Sequence, residues 1–126
     1  MRNKYFFAAL FWTIAIAICC LISMSAFKDV EDVAKNDKYV HFTFYFVFTL
    51  LWYFFFRLNS RKNSVKLRLS VFILAFAFGL FIEICQELFT KDRSADLYDV
   101  IANTSGSLVA TLVIWLAEKF KNKKTV

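Results

Sequence analysis

The sequence predicts an all-α, polytopic membrane protein with four transmembrane helices and both termini in the cytoplasm. Three observations lead to that class. Of the 126 residues, 60% are hydrophobic and 20% aromatic, with no proline and only two glycines. These apolar residues come in solid blocks, whereas a soluble domain of this length would keep them to one face of each element. Four blocks approach the roughly 20 residues that cross a bilayer's hydrocarbon core as a helix, and the basic residues collect in alternate segments between them.

The first block, Tyr5–Met24, follows Arg2 and Lys4 as a secretory signal would. Its apolar run is too long for a cleaved signal and "SMSAF" is a weak cleavage site, so it is expected to be retained as a helix. The second, Tyr39–Phe56, contains "HFTFYFVFTLLWYFFF", expected to be lipid-facing bulk. The third is Leu69–Phe89 and the fourth Leu97–Ala117. A transmembrane β-barrel would need shorter segments of alternating polarity. There is no internal repeat or low-complexity linker, and residues 1–126 read as one membrane domain.

Orientation follows from lysine and arginine. The N-terminal tail has two (Arg2, Lys4), the loop "RLNSRKNSVKLRLS" five (Arg57, Arg61, Lys62, Lys66, Arg68), and the tail "EKFKNKKTV" four (Lys119, Lys121, Lys123, Lys124). These regions share one side if all four blocks span, and the positive-inside rule makes that side cytoplasmic. The net charge of +6 then reflects topology, and no nucleic-acid partner is implied.

The acidic residues are placed differently. The stretch "GLFIEICQELFTKDRSADLYDVIANTSG", residues 79–106, interrupts apolar sequence with Glu83, Gln86, Glu87, Arg93, Asp96, Asp99 and Asn103. Charged groups near hydrocarbon cost several kcal/mol each and are usually kept for function or pairing. Glu83, Gln86 and Glu87 share a face of the third helix, and Asp96, Asp99 and Asn103 share one of the fourth. The second helix begins with Asp37, Lys38 and His41. All three groups fall at the outer membrane face, with nothing comparable expected at the cytoplasmic ends. At 1.5 Å per residue, Glu83 and Asn103 each lie roughly 9 Å inside their helix ends, with His41 nearer the surface. Gly79 with Ala75, and Gly106 with Ala110, give the third and fourth helices small faces for close packing below the polar groups. Cys19, Cys20 and Cys85 lie at membrane depth and read as small apolar residues, not a disulfide.

The residue types leave several chemistries open. Glu83 and His41 can serve as acid–base groups; His41, Glu83, Glu87 and Asp99 can serve as a zinc or hard-metal site. Equally, Glu83 with Arg93 or Lys38 can be a neutralised ion pair holding helices together, and His41 a simple hydrogen-bonding group. No H-E-x-x-H, G-x-S-x-G or P-loop is present.

"DKYVHFTFYF", "EICQELF…R" and "DLYDVIANTSGSL" resemble the motifs of the VanZ-like membrane proteins, approximately D-K-x-x-H-F, E-x-x-Q, R and D-x-x-x-N-x-x-G. The resemblance covers about residues 36–112 and falls on Asp37, Lys38, His41, Glu83, Gln86, Arg93, Asp99, Asn103 and Gly106. Two departures are the absence of a proline before Arg93 and Ala110 near an expected glycine. The resemblance implies a multi-pass protein of the bacterial cytoplasmic membrane, linked to resistance against glycopeptides such as teicoplanin. Three functions fit. The protein can bind or shield an amphiphile at the outer leaflet, either a lipid-tailed glycopeptide or a lipid-linked wall precursor. It can be an enzyme acting on a lipid-linked envelope substrate through Glu83 and His41, or it can be an assembly partner. Asp37, Glu83, Glu87, Asp92, Asp96 and Asp99 against Lys38, Lys91 and Arg93 make the site net acidic. That favours a cation, amine or metal over a bare phosphate, although Arg93 could hold one phosphate.

Overall fold

In a computed structural model the protein is described over residues 2–21, 30–60, 63–90 and 96–124, without the side chains of Arg2 and of residues 30–37. Four helices account for nearly all of these residues: α1 (Arg2–Leu21), α2 (Val30–Asn59), α3 (Ser64–Phe89) and α4 (Leu97–Lys124). Each contains a stretch long and apolar enough to cross a membrane. The protein is a multi-pass membrane protein.

The 20 residues of α1 rise about 30 Å, the thickness of the hydrocarbon core. The other helices run past the expected blocks, because charged residues continue the helix once it leaves hydrocarbon. α2 begins at Val30, nine residues before the expected Tyr39. α3 begins at Ser64, where Asn63 caps it by accepting a hydrogen bond from Val65 N at 3.0 Å. It stops at Thr90, whose extended backbone leaves the helix while its N–H still reaches Gln86 O. The expected end of the first block, Met24, lies outside the described residues.

α2 sits at the centre, packed on α1, α3 and most extensively α4, while α3 also touches α1 and α4. The helices alternate in direction. Tyr5 of α1 meets Phe54 of α2, and Gln86 of α3 reaches Cys20 of α1. One end of the bundle therefore holds both termini; the other holds the polar stretch. The central position of α2 corrects the expectation that its aromatics face lipid. Tyr45, Phe48 and Tyr53 are buried, and Phe48 stacks on Phe78 with ring centroids 5.1 Å apart. A helix with three neighbours needs large side chains to fill the space between them.

Polarity is arranged inside-out relative to a soluble domain. The outer surface exposes Phe11, Phe81, Ile84 and Leu112, whereas Thr49, Gln86, Asn103 and Ser107 are buried. Polar groups tie the helices together: Trp12 Nε1 donates to Phe44 O at 2.8 Å, Trp52 Nε1 to Thr13 Oγ1 at 3.0 Å, and the Thr49 and Ser107 hydroxyls lie 3.0 Å apart. Such bonds supply the association between helices that the hydrophobic effect does not provide within lipid. The three cysteines are free thiols, Cys20 and Cys85 buried and Cys19 exposed.

The glycines lie at close helix contacts, as their spacing implies. Gly106 faces α2, where a Cβ would lie 2.2 Å from the carbonyl oxygen of Phe42. Only glycine permits that approach. At Gly79 a Cβ would lie 3.2 Å from Asn103 Nδ2, so the space beneath Glu83 is occupied by the Asn103 amide.

Candidate functional site

The polar end is assembled at the start of α4. Asp96 precedes the helix and caps it: its Oδ1 accepts from Tyr98 N at 2.9 Å, and its carbonyl accepts from Asp99 N and Val100 N. Asp99 follows in the first turn, where the helix dipole favours a carboxylate. The Asp96 N–H is held by Glu83 Oε2 at 3.2 Å, which fixes the beginning of α4 against α3.

α2 supplies the other wall. Lys38 Nζ bridges Asp96 Oδ2 at 2.8 Å and Asp99 Oδ1 at 2.5 Å. One turn deeper, His41 Nδ1 lies 2.9 Å from Asn103 Oδ1, and His41 Nε2 lies 3.9 Å from Asp99 Oδ2. Exposure falls along this line. Lys38 and Asp96 side chains are both 39% exposed, Asp99 8% and His41 1%. The site has a mouth formed by Lys38 and Asp96 and a buried interior formed by His41, Glu83, Asp99 and Asn103.

The sequence implies His41 nearer the surface than Asn103, but the two side chains lie side by side, 2.9 Å apart. The predicted face of α3 divides. Glu83 and Gln86 are buried, but Gln86 donates to Cys20 O at 2.8 Å and so serves the α1 contact, while Glu87 is exposed. Arg93 and the Asp37 side chain lie outside the described residues, as do Asp92 and Lys91.

Tyr45 was not singled out by the sequence. It is fully buried on the His41 face of α2, and among the described residues neither its hydroxyl nor Asn103 Nδ2 has a hydrogen-bond partner. Its position four residues after His41, on the same helical face, is the signal that could have found it. A second missed group is at the termini end. There Tyr53 Oη and Arg68 both bond the Glu118 carboxylate, contrary to the expectation of nothing comparable. Arg68 between Leu67 and Leu69, and Glu118 next to Ala117, are charges at the edges of apolar runs and mark it in the sequence.

The VanZ/LLP1 family model matches residues 9–118. The chain belongs to the VanZ/LLP1 family. A relative, an uncharacterized protein of Schizosaccharomyces pombe, is 32% identical over 111 residues, covering 88% of this chain and 66% of the relative. The chain thus spans just under two thirds of that relative's length. No solved structure matches.

In this VanZ/LLP1 protein three motifs distant in sequence, at Lys38–His41, Glu83 and Asp99–Asn103, meet within one polar cluster. Among the described residues the cluster holds three carboxylic side chains, Glu83, Asp96 and Asp99, and one lysine, Lys38. His41 Nδ1 faces Asn103 Oδ1 and Nε2 faces the Asp99 carboxylate, so the ring joins the two α4 side chains. An imidazole among carboxylates can take up a proton or a cation. One donor atom each from His41, Glu83 and Asp99 lies within 4.8 Å of the others. Donors around one zinc ion stand roughly 3–3.5 Å apart, given bond lengths near 2.0–2.2 Å. The three side chains could hold a metal after closing by about 1 Å.

Proposed function

We propose that this VanZ/LLP1 protein uses the site between α2, α3 and α4 to bind the polar, cation-bearing head of a membrane amphiphile at the outer leaflet. By doing so it lowers sensitivity to lipid-tailed glycopeptide antibiotics. The observation that carries this reading is the net-acidic cluster whose exposed mouth, Lys38 and Asp96, leads to buried His41, Glu83 and Asp99. Beside the ion pair of Lys38 with its two aspartates the cluster holds a buried histidine and a third carboxylate, the residue types that cation binding requires.

The orientation rests on the eleven lysines and arginines that the sequence gathers at the termini end and its adjoining loop. It puts the site outside the cytoplasmic membrane, where a glycopeptide acts without entering. A lipid-linked wall precursor is the other amphiphile suited to that location. A second reading, an acid–base or metal-dependent enzyme on a lipid-linked substrate, is favoured by the three converging donors of His41, Glu83 and Asp99.

The test compares a lipid-tailed glycopeptide with a tail-less one in cells with and without the protein. Membrane partition grows by about 0.8 kcal/mol per buried methylene, so shielding at the membrane should protect far better against the tailed drug. His41→Ala and Asp99→Ala should abolish protection, with no modified drug recovered. Equal protection against both drugs would refute shielding. A drug or lipid altered only when His41 and Glu83 are intact would establish the enzymatic reading instead.

A further inference from the structure

The opposite end of the bundle carries its own site. Beside the Tyr53–Glu118–Arg68 group, between α2, α4 and the start of α3, lies a cavity of about 410 Å³. Its inner wall is apolar, from Leu50, Val113 and Ile114; its rim carries Arg57, Lys121 and Ser64. From Leu50 to Arg57, and from Ile114 to Lys121, is seven residues, so the wall and the cations are separated by about 10 Å along both helices. Polarity therefore changes from hydrocarbon to double positive charge over the length of a lipid headgroup and its first methylenes.

The charge balance narrows the occupant. Glu118, the cavity's carboxylate, already accepts from Arg68 and Tyr53. Arg57 and Lys121 are both exposed at the rim. The first turn of α3, with Ser64 at its start, adds the positive end of a helix dipole to the same rim. A zwitterionic lipid would bring an ammonium toward two cations. A free phosphate would leave the apolar wall uncovered.

We propose that this cavity binds an anionic phospholipid, its phosphate against Arg57, Lys121 and Ser64 and the beginning of one acyl chain along Leu50, Val113 and Ile114. Basic pockets between transmembrane helices bind anionic headgroups in this way. The volume is that of a small-ligand pocket and suits part of a lipid, not a whole one. The lipid would join α2, the start of α3 and the end of α4, at the end of the bundle away from His41 and Glu83. The inference is independent of what the acidic site binds.

The experiment is lipid exchange on the purified full chain, read by native mass spectrometry with phosphatidylglycerol and phosphatidylcholine of identical chains. At about fivefold per interfacial cation, the two cations predict a preference of roughly thirtyfold for phosphatidylglycerol. Arg57→Gln with Lys121→Gln should erase it, and each single change should leave about fivefold. Lys4→Gln with Lys123→Gln removes equal charge from the same end without touching the cavity and should retain the preference. Helical circular dichroism should be the same in all variants, since these side chains are exposed. Equal retention of both lipids by the unaltered protein would overturn the proposal, as would equal loss in both double variants. Displacement of phosphatidylglycerol by inorganic phosphate at equal concentration would make this a phosphate site, which also overturns it.

Discussion

Replacing Gly106 by alanine tests the contact on which the acidic site depends. The new Cβ would lie 2.2 Å from Phe42 O, 3.0 Å from Phe42 C and 3.2 Å from Phe42 Cα. All three are backbone atoms, so no side chain can move aside. Cβ atoms essentially never approach within 3.0 Å of another heavy atom, so α4 must retreat from α2 by 0.8 Å, the difference between 3.0 and 2.2 Å, or more. Phe42 adjoins His41, and Asn103 lies one turn before Gly106. The same retreat taken along the 2.9 Å bond between His41 and Asn103 would stretch it to about 3.7 Å, beyond hydrogen-bond range. Overpacking of this kind costs about 1–3 kcal/mol, against roughly 1 kcal/mol regained because alanine favours helix over glycine. Gly79→Ala is the natural control, since its closest contact is a side-chain atom, Asn103 Nδ2, at 3.2 Å. Reversible unfolding in detergent should show Gly106→Ala clearly destabilised and Gly79→Ala near neutral. Unchanged stability of Gly106→Ala, or greater damage from Gly79→Ala, would refute the argument.

Other outcomes follow from single contacts. Gln86→Leu removes the buried bond to Cys20 O and should lower stability by about 0.6 kcal/mol and by no more than about 1.7, the mean and maximum for polar bonds between membrane helices, while protection against a tailed glycopeptide persists. Glu118→Leu leaves Arg68 and the Tyr53 hydroxyl without their shared acceptor. It should cost more than Glu118→Gln, which keeps an acceptor, in the same unfolding assay. Cysteine at position 36 or 94 should react with an impermeant thiol reagent on intact cells, and cysteine at position 63 only after permeabilisation; the reverse pattern would place the acidic site in the cytoplasm.

The four helices were legible because blocks of about 20 apolar residues have few other solutions in a bilayer. Helix ends were less so. Nothing in hydropathy shows that α2 continues outward from Tyr39 to Val30, because its polar residues there remain helical outside hydrocarbon. The small residues of α3 and α4 announced close packing, and Gly79 does meet Asn103 of α4. The spacing of Gly106 and Ala110 marks a close approach without naming the partner, which is α2. Residue identity gave the site's membership better than its geometry. Lys38, His41, Glu83, Asp99 and Asn103 come together, whereas Glu87, one turn from Glu83, is exposed. At four residues' spacing the helix has turned about 40° past a full circle, enough to move a side chain off a narrow buried face.

The central claim is that Glu83 serves a function beyond holding α3 to α4, and Glu83→Gln tests it most directly. Glutamine keeps the shape and an acceptor for the Asp96 N–H but removes the charge. The measurement is sensitivity to a lipid-tailed glycopeptide in cells carrying either protein at matched membrane abundance. Protection from the unaltered protein with none from an equally abundant Glu83→Gln variant is the predicted result; equal protection from both would contradict it.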